Sequence, residues 1–263
     1  MILALDVGNS NIVLGCIEGK KVRFQTRLST QLDKTGAEYA VLIKSILEIQ
    51  GVDLSAIEGG IISSVVPPLV NKLRETLLLL TGKRPLVVGP GLRTGVRIAV
   101  GDPGELGADL VVAAAAAQAR YTCPMVILDL GTATTFTVLG RQGEVLGVVI
   151  YPGVRVSFDA LTSRTAQLPR ISYDTPPAVI GTNSVDSMQS GLIHGSAAMI
   201  DGLVDRIEEE LGMETTVVAT GGLAGHIIPH CRRRIELDDD LLLDGLRIIY
   251  EKNTRKRPRP DTK

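Results

Sequence analysis

"MVILDLGTATTF" (residues 125–136) repeats the form of "MILALDVGNSN" (1–11). In both, an apolar run closes on Asp, one apolar residue and Gly follow, and small polar residues lead into the next run. A single copy reads as a hairpin with an acidic corner. Two copies, one in each half of the chain, read as a duplicated unit. At such a corner Gly8 or Gly131 removes the Cβ that would block an anion. Backbone N–H groups, with the side chains of Asn9, Ser10, Asn11, Thr132 and Thr134, are then able to donate to phosphate oxygens. Asp6 and Asp129, at the strand ends, are placed to hold cations that offset phosphate charge. A third element, "VVATGGLAG" (217–225), runs from strand through Gly221 and Gly222 into a helix, and the paired glycines permit close approach by a nucleotide. Two facing corners of this kind make a clamp for a polyphosphate.

The segments around the corners repeat as well. Residues 2–6, 12–17 and 21–28 read as an antiparallel meander, and residues 35–50 carry helical spacing with Gly51 at the C-terminal cap. "GIISSVV" (60–66) reads as a strand, 67–80 as a helix started by proline, and "PLVV" (85–88) as a further strand. An Ala-rich helix over 109–120 precedes the buried strand 125–130, and "TTFTVLG" and "EVLGVVIY" complete a second meander. A long helical stretch over 183–211, the strand in "TVVATGG" (216–222) and a helix near 239–252 close the pattern. Val185, Met188, Leu192, Met199, Leu203 and Ile207 on the long stretch serve a core or a dimer face. The expected organisation is α/β, with one domain over 1–115 and a second over 116–253. Residues 254–263 form a basic, proline-broken tail expected to be disordered.

The chain has 263 residues, 44% hydrophobic and 22% charged, with a formal net charge of −1. That balance provides no general field for nucleic acid or an anionic membrane, so a charged ligand must be gripped locally. With no Trp and three Phe there is no aromatic platform for stacking bases. The apolar runs are cut by Asp, Gly and Pro before spanning length, and no basic segment precedes the first of them, so a cytoplasmic location is expected. Cys16, Cys123 and Cys231 share no paired spacing and read as reduced, structural thiols. His226, His230 and Cys231 stand close in sequence, but Pro229 interrupts any helix that would align them as metal ligands. "GPGLRTG" (89–95) matches neither nucleotide-binding glycine spacing and reads as a loop. The "RRR" at 232–234 and "DDD" at 238–240 read as a solvated strand edge and an acidic helix start.

The duplicated corners with the GG turn resemble the actin, hexokinase and Hsp70 superfamily, in which two related ribonuclease H-like halves with mixed sheets close on ATP. Longer strings narrow the match: "DVGNSNIVLG", "GELGADLVVAAAAA", "LDLGTATTF", "YPGV", "SRTAQLPRI", "GTNSVDSMQSG", "VATGGLA" and "LLLDGLRIIYEKN". In order and in kind these resemble the type III pantothenate kinases across residues 1–253. The resemblance implies phosphorylation of the primary hydroxyl of pantothenate by ATP, the first step of coenzyme A synthesis, with Mg²⁺ and a monovalent cation (K⁺ or NH₄⁺), in a homodimer. It also implies that Asp6, Val7, Gly8, Asn9, Ser10, Asn11, Ile12 and Val13 carry the phosphate loop, with Asp6 serving Mg²⁺ directly or through water. By the same match Thr132 touches ATP, Asp129 holds the monovalent cation, and Asp109 in the Gly107, Ala108, Asp109 corner is the general base. A carboxylate at a glycine-marked helix start suits that role, because phosphoryl transfer needs positioning, charge neutralisation and a base near the nucleophile.

The acceptor side departs from the family. Its corner reads Gly-Ala-Asp-Arg, whereas Leu110 stands here; Val100 replaces a usual tyrosine, and Ser184 replaces a threonine that contacts the acceptor. Pantothenate carries a carboxylate, and deleting a guanidinium from such a contact costs about 2 to 5 kcal/mol when the anion stays buried. Arg93, Arg97, Arg164 and Arg170 are the candidate replacements. Two other readings stay open: a kinase of the same fold for another small hydroxylated acceptor, and a catalytically weak ATP-binding regulator.

Overall fold

The computed structural model describes residues 1–254, and residues 255–263 of the expected tail lie outside them. The chain divides into two compact units: residues 1–96 and 102–116 with the chain from Asp240, and residues 97–101 with 117–239. In the first unit β1 (Ile2–Val7), β2 (Asn11–Glu18) and β3 (Lys21–Ser29) form the expected meander. Helix α1 (Gly36–Ile49) leads to β4 (Gly59–Ser64), and α2 (Pro67–Thr81) leads to β5 (Leu86–Val87). β4 pairs parallel with β1 and β5 parallel with β4, giving the order β3-β2-β1-β4-β5. Helix α3 (Ala108–Arg120) follows.

The second sheet repeats the first. β6 (Met125–Leu130), β7 (Ala133–Leu139) and β8 (Val145–Pro152) form a meander, followed by α4 (Val154–Ser163), α5 (Ser184–Leu211), β9 (Thr216–Thr220), α6 (Ala224–Ile227) and β10 (Glu236–Leu237). Its order, β10-β9-β6-β7-β8, matches the first sheet strand for strand, with β9 parallel to β6 as β4 is to β1. Each unit is thus a mixed α/β sheet with helices, as expected. Helix α4 was not visible in the sequence, because Val154, Val156 and Phe158 alternate as they would in a strand.

Local chemistry explains the element ends. Thr35 and Glu38 form a capping box on α1: the Glu38 N–H donates to Thr35 Oγ1 (3.2 Å) and the Thr35 N–H donates to Glu38 Oε2 (2.7 Å). Two prolines start α2, and Gly82 ends it at φ 68°. Asn183 caps α5 by accepting from the Asp186 N–H (2.9 Å), and Gly212 ends it at φ 67°.

The faces of the first sheet carry different helices. Leu3, Leu5 and Val7 pack with Tyr39, Ile43 and Leu47 of α1 and with Leu69 and Leu73 of α2. Ile2, Ala4 and Ile61, on the other face, pack with Val112 and Ala115 of α3 and with Leu243, Leu246 and Ile249 of the closing helix α7 (Leu241–Thr254). This corrects the expected extent of the second domain, 116–253, since α7 belongs with the first sheet. The glycines show why it fits: a Cβ on Gly15 would stand 2.6 Å from Leu243 Cδ2, and one on Gly245 would overlap the Val112 carbonyl. Leu243, Leu246 and Ile249 are at most 1% exposed, and each contributes about 1.5 to 3 kcal/mol relative to exposure.

In the second unit Val126, Leu128, Leu130 and Phe136 pack against Leu192, Ile193, Ile200 and Val204 of α5. Met188, Leu192 and Ile207 are buried within the chain, while Met199 and Leu203 pack half-buried on the same core. Of the six residues weighed for a dimer face, only Val185 is exposed.

Candidate active site

In the first unit the strand alternation puts Asp6 on the face of Ile2 and Ala4, the side covered by α3 and α7. Beyond it the Gly8 N–H donates to the Asn11 carbonyl (2.9 Å), closing the turn. Thr30, just past β3, braces that turn twice: its hydroxyl donates to the Gly8 carbonyl (2.7 Å) and its N–H to the Ser10 carbonyl (3.1 Å). Asn9 and Asn11 are exposed at the turn. Val7 and Ile12 point into the core on the opposite face, so only their backbone groups are open to a ligand; Val13 is half-buried on the side of Asp6.

The α3 N-terminus approaches the same face. Ala108 packs at the margin of the α3 and α7 core, and an added Cβ on Gly107 would lie 3.7 Å from Val65, one residue past β4. Gly107 also makes room for Asp109, because its Cβ would overlap Asp109 Oδ1. That oxygen accepts from the Leu110 N–H (2.9 Å). Burial pushes the Asp109 carboxyl above the ordinary aspartate value; the backbone hydrogen bonds pull it down by less. Asp6 and the Gly107–Leu110 corner therefore share one face of one sheet.

In the second unit Asp129 stands in register with Thr135 of β7 on one side and Thr220 of β9 on the other. Directly paired residues point to the same face, so a carboxylate is flanked by two hydroxyl side chains. Among the described residues Thr135 Oγ1 is buried without a hydrogen-bond partner. Gly221, at φ 105°, presses on this corner: a Cβ there would stand 2.6 Å from Asp129 Oδ1 and 2.6 Å from the Leu130 nitrogen. Gly222 is exposed beside it. The Gly153 N–H donates to the Thr132 carbonyl (3.1 Å), and a Cβ on Gly153 would overlap that oxygen, which leaves the Thr132 side chain exposed at the tip. The structure thus brings Asp129 and Gly221 together, with Thr132 exposed on the turn that follows β6. Carboxylate and hydroxyl oxygens are hard donors that suit alkali and alkaline-earth cations. The unpartnered Thr135 hydroxyl beside the Asp129 carboxylate fits a bound cation at this corner.

Ser184 opens α5 and lines a cavity of about 530 Å³ with Thr182, Asn183, Phe158, Leu168 and Met188. Val100 and Leu110 are half-buried. Arg97, one of the four candidates for the acceptor carboxylate, is engaged by Glu144 (3.2 Å) and Gln142 (2.9 Å). His226 packs against Tyr173, and His230 meets His194 edge to face and lies 3.1 Å from Thr175 Oγ1. Sequence reasoning missed Thr30, Thr135 and Thr220. No local signal marks them, because each acts through a strand pairing or a turn contact formed only on folding.

A family model described as type III pantothenate kinase matches residues 2–206. The chain belongs to the type III pantothenate kinase family. A relative from Exiguobacterium sp. AT1b, a type III pantothenate kinase, is 46% identical over 255 residues, covering 97% of this chain and 100% of the relative. Among solved structures, an activator of 2-hydroxyisocaproyl-CoA dehydratase from Clostridium difficile with bound ADPNP matches at TM-score 0.54 and 11% identity, covering 98% of this chain and 99% of that one. MreB 5 of Spiroplasma citri bound to AMPPNP matches at TM-score 0.55 and 12% identity, covering 95% and 96%. The fold is actin-like. As a pantothenate kinase the chain uses ATP to phosphorylate pantothenate for coenzyme A synthesis. Among the described residues no helix is long and apolar enough to cross a membrane.

Proposed function

We propose that Asp109 is the general base of the pantothenate kinase reaction, and that Asp6 and Asp129 secure the phosphates through a divalent and a monovalent cation respectively. When bound, Mg²⁺–ATP supplies the transferable phosphoryl group with its charge partly neutralised. The turn at Gly8 to Asn11, Thr132 and the GG turn at Gly221 and Gly222 bind the nucleotide. The carboxyl of Asp109, held by Leu110 N–H at Oδ1, takes the proton of the acceptor hydroxyl on its other oxygen. Its raised pKa makes it a stronger base than an ordinary carboxylate. The observation that carries this assignment is that the Asp109 carboxyl, at the helix start Gly107 leaves open, lies on the sheet face that carries Asp6.

Val100, Gly107, Ala108, Leu110 and Ser184 bound the acceptor in this reading. Potassium or ammonium at Asp129 draws support from the flanking threonine oxygens. A homodimer, with Ser184 completing the partner's acceptor pocket, draws support from exposed Val156, Leu161, Val179, Ile180 and Val185 on and near α4 and the start of α5. An enzyme that draws on metabolic ATP for coenzyme A synthesis suits a cytoplasmic location. A kinase for a different hydroxylated acceptor is the second reading, favoured by Leu110 in place of a cation and by the engagement of Arg97.

Asp109→Asn lowers turnover by roughly 10² or more while nucleotide affinity stays near wild type; retention of half the wild-type rate at saturation removes Asp109 as the base. The same variant gains thermal stability at pH 7. The folded-state pKa is raised, so ionisation above it disfavours the fold, and the difference between the proteins shrinks as pH falls toward 3.8, the ordinary value, where the unfolded group also takes a proton. Replacing potassium by sodium at constant ionic strength and saturating Mg²⁺ lowers the rate, and equal rates in both salts count against the Asp129 site. Light scattering gives twice the chain mass at micromolar concentration; a stable monomer excludes the shared pocket. Leu110→Arg lowers the KM for pantothenate about tenfold, roughly 1.4 kcal/mol, without changing that for ATP. Tight pantothenate saturation in wild type that the substitution only impairs shows that another residue holds the carboxylate, and turnover with a different hydroxylated acid alone establishes the second reading.

A further inference from the structure

The sheet face that carries Asp6 also carries a hydroxyl with no role in the scheme above. β1 and β4 run parallel, and Asp6 stands in register with Ser63. Alternation fixes the side. Ile61 packs with Ile2 and Ala4 under α3 and α7, while Ile62 packs with Leu3 and Leu5 under α1 and α2. Ser63 therefore faces the same way as Asp6. It is 0% exposed, and among the described residues its Oγ has no hydrogen-bond partner. The adjacent Ser64 is satisfied, accepting from the Val66 N–H (3.0 Å) and donating to the Val66 carbonyl (3.2 Å). Buried hydroxyls in folded proteins are nearly always paired, so this orphan beside a half-buried carboxylate has a hydrogen bond left to make. The Gly107 and Asp109 corner borders Val65, two residues further on, so Ser63 lies toward the reacting end of the sheet.

The second unit repeats the arrangement independently. β9 occupies the place of β4, and its Thr220, buried at 3% exposure, stands in register with Asp129 as Ser63 does with Asp6. One strand then runs into proline and the other into a glycine pair, so no shared turn requires a hydroxyl at that point in both.

We infer that Ser63 is a positioning residue for the hydrated divalent cation that accompanies ATP at Asp6, its Oγ exchanging a hydrogen bond with a water of that cation's shell. Magnesium keeps several waters and binds proteins through one or two carboxylates, so its sites need oxygen partners for the waters rather than a closed cage. A buried hydroxyl in register with the Asp6 carboxylate meets that need. The inference rests on the reading that the Asp6 corner receives Mg²⁺–ATP, and the test separates the two.

Calorimetric binding of AMPPNP is compared for wild type, Ser63→Ala and Asp6→Asn, with Mg²⁺ and with EDTA. Ser63→Ala is expected to lose about tenfold in affinity with Mg²⁺ and nothing in EDTA, the size typical of an outer partner of a metal site. Its ligand-free melting point is expected to equal or exceed that of wild type, because an unsatisfied polar atom has been removed. If Asp6→Asn weakens Mg²⁺–AMPPNP binding and Ser63→Ala does not, Ser63 is structural and the Asp6 reading stands. If neither weakens it, both fail. An equal loss with Mg²⁺ and with EDTA also overturns the cation role. Should Ser63→Ala fail to fold, Ser63→Cys, close in size and a poor partner for water, carries the same expectation.

Discussion

A carboxylate closing a fully buried strand is the constraint on which each half of the molecule depends. Leu3, Ala4 and Leu5 are 0% exposed, and Asp6 follows directly. A charge cannot be carried further into such surroundings without severe cost, so it sits one residue from the strand's end with polar groups and solvent within reach. The chain meets this by turning at once at a glycine and lining the turn with amides and hydroxyls. In the first sheet the helices on both faces are the other half of the constraint, since they keep the strand behind the carboxylate dry. In the second sheet Asp129 likewise directly follows a fully buried residue, Leu128.

The two copies solve one problem with different supports. The first corner is braced by Thr30 from the end of β3, which ties the Gly8 and Ser10 carbonyls. The second is held by two close approaches, Gly221 on Asp129 and Gly153 on Thr132, neither of which tolerates a side chain. Asp109 is placed on the first sheet alone, at a helix start that Gly107 keeps open. Its burial raises the carboxyl's pKa and costs stability.

The acceptor side shows how one substitution spreads. Leu110 stands beside Asp109 where the family corner has a fixed cation, and the nearby arginines differ in how they are held. Arg97 is held by Glu144 and Gln142, and Arg93 has its backbone tied to Asn253 of α7, whose side chain both accepts from the Arg93 N–H (3.1 Å) and donates to its carbonyl (2.9 Å). Helix α7, remote in sequence, thereby helps shape the loop after β5.

Short-range chemistry was legible in the sequence. The Asp-x-Gly corners, the proline opening α2 and Gly51 after α1 each act within a few residues, and the ordered strings between them marked the family. Contacts that join distant segments were not legible. The return of α7 to the first sheet depends on Gly15 and Gly245 leaving room for Leu243 and the Val112 backbone, which no local pattern announces. The apolar positions of α5 looked available for a partner until packing against β6 and β7 buried most of them. Ser63 beside Asp6, and Thr135 and Thr220 beside Asp129, arise from strand register. Register is a long-range pairing, decided only when the whole sheet closes and each strand's apolar side meets its own helix layer.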